Sequence, residues 1–134
     1  MKRLKIIWVN TWFDPGKERS AAEVMMDQGV DVIIQHTDSP AAMQAAEKRG
    51  KWAVGQASDM SHFGPNAHLL SVVNDWGNHY IKAVQRVMDG TWKSENYWGG
   101  MDDDTIRIPG FNKKVPAEVV AQAKKFMVGM KNKT

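Results

Sequence analysis

The sequence predicts an α/β fold, an open and mostly parallel sheet flanked by helices in the flavodoxin-like manner. Three observations predict it. Short apolar, β-favouring runs alternate with amphipathic segments of helical period along the first 90 residues. The junctions carry helix-start signals, Asp14-Pro15-Gly16 and Ser39-Pro40, and the helical runs end at Gly29 and Gly50. The whole chain is 134 residues long, which suits one domain of ordinary size and leaves no room for a two-domain enzyme.

Taken in order, Leu4 to Val9 reads as a buried strand, with Asp14 capping a helix whose apolar positions are Ala21, Val24 and Met25. Val30 to Gln35 is a second buried strand. Ser39 then caps a smooth helix over Ala41, Ala42, Met43, Ala45 and Ala46, and Trp52 to Gly55 is a third, short strand. Tight capped connections of this kind are the grammar of parallel strands joined by right-handed crossovers. Leu69 to Val73 supplies a fourth strand after the loop Ser61 to Asn66. Tyr80, Ile81, Val84, Val87 and Met88 give the segment Gly77 to Met88 an apolar helical stripe that needs a partner surface. Asn96 to Trp98 and Thr105 to Ile108 read as short strands around the polar turn Asp102-Asp103-Asp104. A last amphipathic helix starts at Pro116 and runs through Phe126 to Met130.

Composition excludes several classes. There is no cysteine, so thiol nucleophiles, disulfide scaffolds and Cys₂His₂ zinc sites are out. Ile6 to Val9 is too short an apolar run for a bilayer span or a signal-peptide core, so no export signal or membrane anchor is expected in the chain as given. The net charge of +3 looks basic only until it is located: residues 1–20 hold five Lys/Arg against two acids, and residues 111–134 hold six lysines against Glu118 alone. The stretch between holds seven Lys/Arg against twelve acids, a poor footprint for a phosphate groove, so no nucleic-acid partner is expected.

Ligands of open α/β sheets bind outside the carboxyl ends of the strands, where loops and helix N-termini converge. The predicted exits carry Asn10, Thr11 and Trp12; His36 and Thr37; Gln56 and Asp59; and Asn74 and Trp76. Flat indole faces beside amide, hydroxyl and carboxyl groups suit a planar heterocycle, whose face and rim are addressed separately. Asp14, Asp38 and Ser39 also read simply as helix caps, and Trp12 as a lid on the core. Trp8 and Trp52 read as core. His36, His62, His68 and His79 lack HxxxH or HxH spacing, and the Asp102–Asp104 turn lacks the alternating ligands of a calcium loop, so no metal or other cofactor is expected. There is no Gly-rich phosphate loop and no Gly-x-Ser-x-Gly elbow. Asp59 and His36 on neighbouring exits leave open a general acid/base pair.

The runs Trp8-Val9-Asn10-Thr11-Trp12-Phe13-Asp14-Pro15-Gly16-Lys17-Glu18, Gln35-His36-Thr37-Asp38-Ser39-Pro40, Ser58-Asp59-Met60 and Asp89-Gly90-Thr91-Trp92, in that order, resemble the basic membrane protein (BMP) family. These are type I periplasmic binding proteins that serve ABC importers for purine nucleosides or, in the branch with this first motif, adenine-like bases. The resemblance runs from about residue 4 to about residue 128, and a full member has a further lobe ahead of Leu4. It implies the C-terminal portion of a two-lobed, non-catalytic binding protein. Residues 4–74 would form the lobe core, 75–92 the inter-lobe helix, and 93–134 a crossover and the C-terminal helix.

By the same resemblance Trp12 takes the place of the aromatic that stacks on a purine. Asn74 stands where nucleoside-binding members have a lysine, and the family's acid for sugar hydroxyls aligns with Asp59 or with Ala57; both departures favour a bare base over a nucleoside. The implied partners are a purine ligand and, for the full-length parent, an ABC permease. The parent would be periplasmic or cell-surface, while the chain as given would stay cytoplasmic. The stripe on Gly77 to Met88 would have lost its native cover, so self-association through that helix is expected. Two other readings stay open: a free-standing flavodoxin-like enzyme or regulator using Asp59 and His36, and an oligomeric relic that binds nothing.

Overall fold

The computed structural model describes residues 4–132. Its elements are α1 (Pro15–Asp27), β1 (Val32–Ile34), α2 (Ala41–Lys48), β2 (Trp52–Ala57), a 3₁₀ turn (Ser61–Phe63), β3 (His68–Asn74), α3 (Gly77–Met88), β4 (Ile106–Arg107) and α4 (Ala117–Asn132). The four strands form one sheet in the order β1-β2-β3-β4. β1, β2 and β3 are parallel, with Val32 opposite Trp52 and Gly55 opposite Ser71, and β4 closes the far side antiparallel to β3.

Local chemistry explains most boundaries. Asp14 has extended backbone and its carboxylate accepts the Lys17 N–H at 3.0 Å, which satisfies one orphan donor at the start of α1, while Pro15 spends its missing N–H where none is needed. α1 and α2 are followed by Gly29 and Gly50, at φ of +85° and +60°, conformations that a Cβ would strain. α2 begins one residue later than the Ser39-Pro40 signal suggests. Pro40 holds the cap position, and Ser39 is fully buried with its hydroxyl turned to Glu18.

The core lies on one face of the sheet. Ala22 and Met26 of α1 and Ala42, Met43, Ala45 and Ala46 of α2 meet Ile33, Ala53, Met60 and Ala67. Alanines let the two helices approach closely, and methionines fill the irregular gaps that remain. Gly55 is needed there, because a Cβ on it would sit 2.3 Å from Ser71 Oγ and 2.9 Å from Met60 Cβ.

Three expectations are corrected. Leu4 to Val9 carries no regular structure and stays outside the sheet; Trp8, read as core, is 81% exposed. β1 pairs directly with β2, and β-favouring side chains do not themselves supply a neighbour for the ladder. Trp52 is half-buried rather than core, with Lys114 Nζ 5.6 Å from its ring centroid. Asn96 to Trp98 is irregular, because the chain there is held by side chains instead: Tyr97 hydroxyl donates to Asp103 at 2.5 Å and also meets Thr105 Oγ1.

The second face of β1 is bare, with Ile34 71% exposed, and no residue of α3 or α4 is buried. Among the described residues no helix is long and apolar enough to cross a membrane.

Candidate functional site

The chain leaves Val9 through Asn10, whose φ of +52° turns it toward α1, and Trp12 follows. The Trp12 carbonyl accepts the Asp38 N–H at 2.9 Å, so the loop before α1 and the loop after β1 are joined by backbone. That bond sets Trp12 beside His36, with ring centroids 5.8 Å apart and planes inclined by 57°. An open cleft of about 760 Å³ runs beneath them, with Asn10, Thr11, Trp12, His36 and Thr37 at its polar end. Its floor is apolar, made by Ile6, Met25, Val30 and Ile33 among others. Trp12 is 67% exposed, so an indole face is free for a ligand.

The support beneath this end is polar and buried. Glu18, 3% exposed, accepts the Asp14 N–H at 2.9 Å on one oxygen and the hydroxyls of Thr37 and Ser39, each at 2.7 Å, on the other. Gln35 amide donates to the carbonyls of Thr37 at 2.9 Å and Ser39 at 2.8 Å, while its own oxygen is buried with no partner among the described residues. The sequence reading did not single out Glu18 or Gln35. The signal for Glu18 was an acid one turn after the Asp14 cap, close to a capping box, with two hydroxyl residues at the next strand exit.

The other four predicted residues do not line this cleft. Gln56 is the penultimate residue of β2, and its carbonyl accepts the Ser58 N–H at 2.8 Å around Ala57 at φ +63°. Asp59 accepts the Ser61 N–H at 2.9 Å and stands 3.9 Å from His68 Nε2. That backbone bond, helped by Ser61 side chain and the nearby histidines, holds the Asp59 carboxyl below the usual carboxylate range. Burial pushes His68 down, with Asp59 opposing, and His68 Nε2 lies 2.9 Å from Ser71 Oγ. Asp59, Ser71 and His68 are not a nucleophilic triad, because both partners approach the same ring nitrogen and Ser71 is fully buried, with its Oγ accepting the Met60 N–H.

Asn74 is held in the β3–β4 ladder opposite Ile106. Trp76 belongs to a separate aromatic group, 6.2 Å from Tyr80 and 5.9 Å from Tyr97 between ring centroids. Among the described residues no group of three or more His, Asp or Glu side chains is placed to hold a metal ion.

Comparison with known proteins gives this mostly parallel sheet a family. Residues 3–134 match the family model of the PnrA-like ABC transporter substrate-binding proteins, Bmp. The chain belongs to that family. It is 51% identical over 128 residues to a purine-binding protein of Brucella abortus, covering 91% of this chain and 37% of that one. A putative ABC transporter glucose-binding protein of Haloferax volcanii is 38% identical over 118 residues, covering 88% and 30%. The chain thus spans about a third of the length of these curated relatives.

Among solved structures, a transcriptional activator of the comK gene from Bacillus halodurans superposes with a TM-score of 0.82 at 23% identity, over 91% of this chain and 44% of that one. An ABC transporter solute-binding protein from Conexibacter woesei gives 0.67 at 16%, over 88% and 40%. These likenesses support the fold, one lobe of a periplasmic-binding-protein architecture.

Proposed function

We propose that this chain is the ligand-holding lobe of an ABC importer's solute-binding protein and that it takes a purine base or nucleoside against Trp12. The observation that carries the reading is the exposed indole beside His36, with Asn10, Thr11 and Thr37 on the rim of the same cleft. A flat ring stacks on the indole, and the amide and hydroxyl groups address its edge. The role is capture without bond-making, outside the cytoplasmic membrane, with release to a permease. Gln56, Asp59, Asn74 and Trp76 lie outside this cleft, so the reading rests on Asn10, Thr11, Trp12, His36 and Thr37.

In this reading residues 4–74 are the lobe core, 75–92 the helix that meets a second lobe, and 93–134 the crossover and C-terminal helix. The exposed stripe of α3 supports it, since Tyr80, Ile81, Val84, Val87 and Met88 lack cover within the described residues. The 38% identical relative is named for glucose, so sugar is the competing ligand class. A thermal-shift panel of adenine, guanine, adenosine, guanosine, ribose and glucose separates them. Stabilisation by the bases and nucleosides supports the reading, and stabilisation by ribose or glucose alone overturns it.

A further inference from the structure

We propose that Glu18 is a positioning residue for the cleft: its buried carboxylate fixes the two loops that carry Trp12 and Thr37 and sets which way the Thr37 hydroxyl points. The inference deepens the reading of the cleft as a site for a flat heterocycle and rests on it for the ligand alone. Four bonds carry it. One carboxylate oxygen receives the Asp14 N–H, two residues beyond Trp12, and the other receives the hydroxyls of Thr37 and Ser39 across the gap between α1 and the exit of β1. The backbone bond from Asp38 N–H to the Trp12 carbonyl closes the same ring of contacts.

Glu18 has no cationic partner among the described residues, so this carboxylate is satisfied wholly by hydrogen-bond donors of the two loops. A carboxylate accepts and does not donate, whereas a carboxamide in its place must aim an N–H at one of three donors. Breaking such a network leaves buried groups unpaired, which is costly in a low-dielectric setting. Burial this complete is also expensive unless the geometry is kept, which makes the loop separation a rigid quantity.

A consequence falls on the ligand edge. Thr37 lines the cleft, and its hydroxyl hydrogen is committed to Glu18, so toward a ligand Thr37 Oγ1 has only lone pairs to offer. The rim at Thr37 therefore selects an N–H or O–H donor on the ligand edge and disfavours a carbonyl there.

The test uses the 134-residue chain labelled with 5-fluorotryptophan, with the Trp12 fluorine resonance assigned by Trp12→Phe. Glu18→Gln is expected to shift or broaden the Trp12 resonance in the ligand-free protein and to weaken adenine binding by roughly 10-fold or more, at a temperature where circular dichroism shows both proteins folded. Ser39→Ala, which removes one donor and keeps the carboxylate, is expected to move the same resonance less. It stands in if Glu18→Gln does not fold.

An unchanged Trp12 resonance and unchanged affinity, with only a lower melting temperature, would overturn the proposal and leave Glu18 a purely stabilising group. If the unsubstituted chain binds no adenine, the purine reading fails. The ligand-free resonance still decides the role of Glu18, movement supporting it and constancy overturning it.

Discussion

Trp12→Ala isolates the stacking face on which the purine reading depends. The indole is two-thirds exposed and meets His36 at an inclined angle, so little of the core rests on it and the substitution leaves the fold intact. What it removes is one platform for a planar ring, and stacking of a base on an aromatic side chain is worth about 1–3 kcal/mol. At about 1.4 kcal/mol per decade, adenine affinity should fall by roughly 5- to 150-fold. Trp12→Phe, with a smaller face, should fall between the two. Affinities are best measured by calorimetry or equilibrium dialysis, because six tryptophans blur any fluorescence signal. Unchanged adenine affinity in Trp12→Ala would refute the stacking argument.

Three further predictions follow from the scaffold. Gly55→Ala places a methyl group against Ser71 Oγ and Met60, and should cost about 1–3 kcal/mol in urea unfolding; a neutral result would mean that β2 and β3 are not in this register. His68 is held below its usual 6.5, so its neutral form is the one the fold favours and the unfolded chain binds more protons near that pH. Its contribution to stability is complete above about pH 6.5 and is lost as the pH falls below it, a loss that His68→Gln should remove from the pH profile of unfolding. If a second copy covers α3, the chain should self-associate and replacing Ile81 and Val84 by lysine should make it monomeric in sedimentation, while a wild-type chain that is already monomeric at micromolar concentration would defeat the idea.

Periodicity and caps made much of this legible. Gly77 to Met88 is legible to the residue because a three-turn stripe ends at Asp89-Gly90, and β3 to within one residue at each end because its apolar run follows a turn rich in Gly, Pro and Asn. Leu4 to Val9 suits a strand by composition, but it makes no ladder with β1, the edge strand of the sheet. In the site, Trp12, His36 and Thr37 were visible as residues at strand exits, which is a topological inference. Glu18 was not, since a carboxylate on the first turn of a helix reads as a dipole partner and only the fold brings Thr37 and Ser39 to it. Asp59 shows the converse. Its place after β2 suggested the cleft, but the turn through Ala57 and the Ser61 N–H directs it to His68.

The arrangement of apolar surface bears on how tightly this chain alone could hold a ligand. The buried set is mainly alanine and methionine, while Ile34, Ile81, Val84 and Trp98 face solvent. Drug-sized ligands are normally buried by about 70–90%. The cleft at Trp12 is open, with one stacking face and a rim on one side. A second face with its own hydrogen bonds would add about 1–3 kcal/mol, or roughly 5- to 150-fold in affinity. Trp12→Ala should therefore weaken binding in this chain and in a longer polypeptide by a similar factor, because it removes the same contact from both. If α3 meets a second lobe as proposed, substitutions on α3 should separate the two: they should leave affinity unchanged in this chain and lower it in the longer polypeptide.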